Sequence, residues 1–363
     1  MNLTRILVII GLCLSGVAYG AESLRAWQGG RTVVKAKHLI PAMKGGEGYG
    51  EKYTFDANFG DRGSMYFSLA ITNLGFGDHK MEAKGRLTVD GQSFKWKKKM
   101  DRDEWSFDRD KFSINAGPAK VSGTPERLVF VAKSGDNEVE LVMTPIARAW
   151  RPNNGQIQFG KSRSVTDYTV FPLMKAEVRY RMKGGEPQTV TGHGYGTRTW
   201  SELAVYDQVR WNLEFRAIEG DKTIYIRQLG PAAKYDGKRI GYVLVTDGGK
   251  ILVESFDFTL TPTQLMTDDD HENRYKVPES FTVMGKDAEQ STTLFRGKFQ
   301  KKTMISRKDL LASLNSAVRM LAKRYSKPVK YTYTTDYLFE IKTADSVERL
   351  AGDGRYEVYH WNK

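Results

Sequence analysis

The chain has 363 residues, of which 40% are hydrophobic and 27% charged, and its formal net charge is +13. That balance excludes wholesale disorder, and the length supports one large core or two ordinary ones. An aromatic content of 12%, led by tyrosine, favours sheets and the walls of apolar cavities.

Residues 1–20 read as a secretory leader: a basic start ending at Arg5, an apolar run from Ile6 to Val17, then Ala18-Tyr-Gly20. The run is too short for a stable membrane span. Cys13, the single cysteine, lies inside it after Leu12, which argues against a lipoprotein box. After cleavage no thiol remains, so disulfides and thiolate metal sites are excluded, although an exported chain enters an oxidising compartment. A soluble periplasmic or secreted protein rarely meets nucleic acid. The positive excess therefore points to an anionic membrane surface or simply to solubility.

Short strands with turn signals follow. Arg86–Val89 and Ser93–Trp96 flank Asp90-Gly91, a strong hairpin signal, and Leu128–Val131 and Val139–Met143 flank Ser134–Asn137. Lys95-Trp-Lys-Lys-Lys99 reads as the wet face of a strand. Pro152-Asn-Asn-Gly155 and the polar Lys161–Ser164 suggest a boundary, after which strands resume at Tyr168. Tyr242–Val245 and Ile251–Val253 flank Asp247–Gly249, and from Ser255 to Leu260 the alternation has period two. Asp268–Glu272 lacks the alternating pattern of a calcium loop and reads as a solvated loop. Ser306 with Asp309 forms a capping-box-like start, and Leu310, Leu314, Val318, Leu321 and Tyr325 repeat at helical spacing until Pro328. This predicts one amphipathic helix over about 306–325, packed on a sheet or across a barrel mouth. Strands at regular spacing with few helices indicate an all-β chain of closed or nearly closed antiparallel barrels. Two tandem barrels, residues 21–163 and 164–363, are expected.

Thr191-Gly-His-Gly-Tyr-Gly-Thr-Arg-Thr-Trp200, followed by Val209-Arg-Trp-Asn212, carries the functional signal. An apolar wall with a few polar tips suits an enclosed pocket, so His193, Tyr195, Arg198, Trp200, Trp211 and Asn212 are the candidate ligand-binding residues. The stretch resembles the Gly-x-Gly-Tyr-x-Asp-His-x-Trp signature of the lipocalin-like carotenoid hydratase superfamily. Here Thr197-Arg198 stands where that signature has Asp-His. Ser68–Phe76, Phe171-Pro172, Thr191–Tyr195, Arg210-Trp-Asn212, Lys327-Pro328 with Tyr331 and Tyr333, and Gly354–Val358 also resemble, in order, the survival-factor family of lipocalin-like proteins. Arg274–Pro278 is similar to a Tyr-x-x-Pro segment of the hydratase relatives. The resemblance implies two lipocalin-like (calycin-type) β-barrels with a hydrophobic ligand held in or between them. Relatives span lipid carriers, carotenoid hydratases and pericyclase-like enzymes, so fold alone does not choose the chemistry.

A hydratase needs a carboxyl group kept protonated in an apolar site. Threonine is too weak an acid, and arginine stays charged. Arg198 could instead clamp an anionic head group, or lie on the outer face of its strand. His193 reads either as a base or as a structural histidine near the glycines. The expectation is an exported carrier of a lipid or isoprenoid-like molecule, with no cofactor and no metal. The alternatives are an isoprenoid hydratase, cyclase or isomerase using Glu177 or Glu202 as a displaced carboxylate, and an envelope-associated scaffold. No Gly-x-Ser-x-Gly elbow or phosphate loop is present, and the five histidines show no ligand spacing.

Overall fold

The structure, a computed structural model, describes residues 22–73, 77–235, 237–312 and 316–362. The expected leader and the last three residues of Ser68–Phe76 lie outside the described residues. The strands of the first sheet are β1 (Leu24–Ala26), β2 (Gly50–Asn58), β3 (Gly63–Thr72), β4 (Lys80–Val89), β5 (Gln92–Met100), β6 (Ser106–Phe107), β7 (Phe112–Ala116), β8 (Ala119–Thr124), β9 (Arg127–Ser134), β10 (Asn137–Ala147), β11 (Gln156–Phe159), β12 (Ser164–Arg181) and β13 (Gln188–Ser201). Those of the second are β14 (Val209–Glu219), β15 (Lys222–Pro231), β16 (Ile240–Asp247), β17 (Lys250–Ser255), β18 (Phe258–Thr267), β19 (Lys276–Lys286), β20 (Leu294–Asp309), β21 (Val329–Lys342) and β22 (Val347–His360). Both sheets are antiparallel and curl around their own cores, so the chain is all-β with two lipocalin-like barrels.

The first sheet runs β5-β4-β3-β2-β13-β12-β10-β9-β8-β7-β6, with β11 on β12 and β1 on β11. The second runs β17-β16-β15-β14-β22-β21-β20-β19-β18. Alternation decides which face is inside. In β2, Glu51, Tyr53, Phe55 and Ala57 are buried, while Lys52, Thr54 and Asp56 point the other way. The Asp90-Gly91 hairpin forms as expected, with Val89 opposite Gln92 and both turn residues at positive φ (48° and 77°), the pairing a type I′ turn requires. The hairpins around Ser134–Asn137 and Asp247–Gly249 also form. The run Ser255–Leu260, by contrast, is broken by a bend at Phe256-Asp257.

Two expectations are corrected. The boundary at 163/164 falls inside the first sheet, because β12 pairs with β10 and β11, and β13 pairs with β2. The chain changes sheet between Ser201 and Val209, through the one-turn helix α1 (Val205–Gln208). The turn near Pro152 is a loop between β10 and β11, which follow one another in the same direction along β12. The hairpin is the next turn, residues 160–163, where β11 folds back into β12. The expected helix over 306–325 is also shorter. Residues 306–309 continue β20 opposite Val329–Thr332, and the helix α2 spans Ser316–Ala322. Cross-strand pairing with β21 overrides the capping signal of Ser306. Leu314 lies outside the described residues, and Tyr325 at the far end is 68% exposed.

Aromatic rings fill both barrels. Phe55, Phe67 and Phe130 meet at 4.5–4.9 Å between centroids in the first, and Phe215, Phe281 and Phe299 meet at 4.4–6.4 Å in the second. A third apolar cluster joins the sheets. Trp27, Trp150, Tyr168 and Tyr195 of the first pack on Tyr225, Leu229, Tyr235 and Tyr242 of the second. Glu254 latches this seam: it accepts Trp150 Nε1–H at 2.7 Å and Arg31 Nε–H at 2.8 Å.

Candidate functional site

The glycine-rich stretch forms β13, and its two faces do different work. The even positions face into the first barrel, where Gly194 and Gly196 lie opposite Ala57 and Phe55. A Cβ at Gly196 would come within 2.3 Å of the Phe55 ring, and one at Gly194 within 2.1 Å of Met143 Cε. These glycines admit core side chains against the backbone. Across β12, Pro172 sits in a bulge between Phe171↔Gly196 and Met174↔Gly194, where its missing N–H costs no ladder bond.

Arg198 and Trp200 continue the inward face at the barrel mouth, so Arg198 points inside and is only 3% exposed. Its Nε and Nη2 lie 2.9 and 2.7 Å from Glu51 Oε1, its Nη1 lies 3.4 Å from Asp167 Oδ1, and its Nη2 donates to the Ile40 carbonyl at 3.0 Å. Glu51 also accepts from the Tyr49 hydroxyl at 2.6 Å and the Ala42 N–H at 2.7 Å. The Tyr53 hydroxyl lies 2.6 Å from Glu51 and 2.7 Å from the Leu39 carbonyl. Asp167 is shared with Arg151, whose Nη2 reaches Oδ2 at 2.5 Å. Two guanidiniums and two carboxylates thus form a neutral network in which all three Arg198 nitrogens are used, while Arg151 bonds through Nη2 and its buried Nε has no partner among the described residues. The mutual pairing offsets much of the desolvation of four buried charges.

This network floors a cleft of about 600 Å³. Trp200, Ile40 and Pro41 give it apolar surface, and Lys37, Lys44 and Arg109 bring positive charge. The volume falls within the range of small-molecule sites. Burial pushes the Asp167 carboxyl above its ordinary value, against the pull of Arg151 and Arg198. His38, in the same cleft, is pushed down to about 4 by burial and by the nearby charges of Arg151, Lys37 and Arg198. Its Nδ1 accepts the Lys35 N–H at 3.0 Å, so the neutral ring carries its proton on Nε2. Burial also opposes the charge on Arg198, but Glu51 more than compensates and raises its pKa further.

The remaining sequence candidates lie elsewhere. His193 is exposed on the outer face of β13. Tyr195 shares that face but is buried in the seam, where it donates to Glu214 at 3.1 Å and Arg216 lies 4.0 Å above its ring. Trp211 packs with the core of the second barrel, against Gly230. Asn212 points the other way, and its Oδ1 accepts Trp361 Nε1–H at 3.1 Å. Of the six, only Arg198 and Trp200 share a cleft. Glu202 accepts the Val165 N–H, and Glu177 lies on the outer face of β12. Asp268 is buried and accepts from Arg307 and Tyr331, so it anchors its loop, contrary to the solvated loop expected from the sequence. Glu51, Arg151, Asp167 and His38 were missed. The Arg198–Glu51 pair spans 147 positions, and no local spacing signals it.

No family model and no curated protein matches the chain. Solved structures do. The AttH-type protein of Nitrosomonas europaea superposes with a TM-score of 0.54 at 13% identity, covering 86% of this chain and 92% of that one. CghA with Sch210972 gives 0.54 at 11% identity, covering 94% and 97%. Kievitone hydratase from Nectria haematococca gives 0.51 at 10% identity, again covering 94% and 97%. At these identities the likeness shows a common fold: two lipocalin-like barrels over most of the chain.

Proposed function

We propose that this protein binds a compact hydrophobic small molecule with a polar or acidic head in the cleft at the mouth of the first barrel. The observation that carries the reading is the juxtaposition of Trp200 with a fixed polar floor and a basic surround inside one cleft of ligand size. The ligand's apolar body lies on Trp200, and its head group meets Lys37, Lys44 or Arg109, since Arg198 is already committed to Glu51 and Asp167. This changes the expected carrier in one respect. The packed rings leave the barrel centre to side chains, so a long tail inside the barrel is a poor fit. Titration of wild-type, Trp200→Ala and Lys44→Glu proteins with acidic and neutral amphiphiles tests the proposal. Saturable binding weakened by both substitutions supports it, and binding indifferent to both overturns it.

A second reading is favoured by Asp167 and His38. The acid/base pair missing from the glycine-rich stretch has counterparts in this cleft: a carboxyl raised by burial and a neutral imidazole, contributed by other segments. One structure of this fold holds Sch210972 and another is named a hydratase, so binding and hydration both occur among its neighbours. In a hydration, both groups would first have to be freed, the Asp167 carboxylate from Arg151 and Arg198 so that it can take up the proton it gives to one alkene carbon, and His38 Nδ1 from the Lys35 N–H so that it can take a proton from the water adding to the other. A product one water heavier than its alkene precursor, lost in Asp167→Asn, would make the protein an enzyme.

A further inference from the structure

The seam between the sheets holds a second cleft of about 540 Å³ that shares no residue with the barrel-mouth site. One side is β1 with Trp27, from the first sheet; the other is the start of β16 with Phe256, from the second. Leu24, Ile240 and Phe256 are only partly buried there and leave apolar surface to the cleft. Arg25, Lys238 and Arg239 are exposed around it, and among the described residues none of them has an acidic partner within ion-pair distance. Among the described residues Glu22 is the lone carboxylate of the lining. Arg239 is already oriented: its guanidinium lies 5.4 Å above the Trp211 ring and donates to the Leu260 carbonyl at 3.4 Å.

Trp27 forms the inner wall and is itself strained. Its backbone is left-handed at φ 49°, a conformation an aromatic residue adopts only when its surroundings force it. The side chain is buried between Tyr242 and Phe256, at 5.4 and 5.8 Å, and among the described residues its indole Nε1–H has no acceptor. A buried donor without a partner is uncommon in folded proteins. Unpaired cations and half-covered apolar walls together fit one class of ligand.

We propose that the seam cleft binds an anionic amphiphile, its acid group at Arg25, Lys238 and Arg239 and its apolar part along Ile240 and Phe256 against Trp27. The acid group can come from a fatty-acid-like carboxylate or from a phosphate head group. Because its walls come from different sheets, the bound molecule ties the two barrels together and raises the melting temperature.

Calorimetric titration with dodecanoate, dodecyl phosphate and neutral dodecyl maltoside, each below its micellar concentration, tests this in a Trp200→Ala/Lys44→Glu background. Saturable binding of at least one anion but not of the maltoside is expected, weakened about tenfold or more by Lys238→Glu/Arg239→Glu. Dodecanoate alone would identify a fatty-acid-like ligand, dodecyl phosphate alone a phosphate-headed one, and either supports the site. Arg25→Glu, on an exposed position of β1, carries the same test should the double variant fail to fold. Binding of neither anion, equal binding of the maltoside, or binding unchanged by charge reversal would overturn the proposal. The barrel-mouth reading would survive any of these outcomes, because its own residues are already substituted in this background.

Discussion

Arg198 should behave as one half of a buried ion pair whose loss destabilises the fold. It sets two guanidinium nitrogens on Glu51 Oε1 at 2.9 and 2.7 Å, and both side chains are almost fully buried. Arg198→Met removes the cation and leaves the Glu51 carboxylate in place. Breaking one side of a buried pair costs about 3–5 kcal/mol. Glu51 keeps Tyr49, Tyr53 and the Ala42 N–H nearby, which holds the expected loss near the lower end, about 3 kcal/mol. Asp167 keeps Arg151 and should contribute little. Glu51→Gln in the same chain removes the stranded charge, so the double variant should recover about 2 kcal/mol relative to the sum of the singles. Urea unfolding followed by tryptophan fluorescence at neutral pH measures all four corners of the cycle. An Arg198→Met cost below about 1 kcal/mol, or additivity within about 0.5 kcal/mol, would refute the buried pair.

Further outcomes follow from the same geometry. His38 and His360 are both pushed down to about 4, chiefly by burial. Between about pH 6.5 and 4 the unfolded chain takes up protons that the folded chain refuses, so stability should fall with pH across that window. His360→Phe should flatten the fall by roughly 1–3 kcal/mol in urea midpoints taken at pH 7 and 4.5. Glu254→Ala strands the Trp150 indole N–H and releases Arg31, at a cost of about 2 kcal/mol, with faster amide exchange confined to the seam strands β12 and β15. Gly196→Ala should destabilise the first barrel by about 1–3 kcal/mol in thermal melts, since the added methyl meets the Phe55 ring.

What the sequence made legible was local. Asp90-Gly91 declared its hairpin because two adjacent positive-φ positions are a short-range demand. The alternating strands and the lack of long helices indicated paired barrels for similar reasons. Sheet order was less accessible. Pro152–Gly155 carries the turn chemistry of a domain linker and of a loop within one sheet alike, and only the pairing of both β10 and β11 with β12 separates them. Ser306 and Asp309 look like a helix start, yet both belong to a strand fixed by partners on β21. In the glycine-rich stretch the sequence marks the strand but not its two faces. Alternation sends Arg198 and Trp200 inside and Tyr195 to the seam, so neighbours in sequence serve separate sites. Glu51, Asp167 and His38 arrive at the cleft from elsewhere in the chain.

Native mass spectrometry of protein purified without added lipid is the most direct test of the claim that the barrel-mouth cleft is a small-molecule site. Wild type should carry a non-covalent adduct of one small molecule, released on activation and identifiable in organic extracts, and Trp200→Ala should carry much less of it while its circular dichroism stays unchanged. Wild type that flies without an adduct and takes up no amphiphile from an added panel would contradict the account.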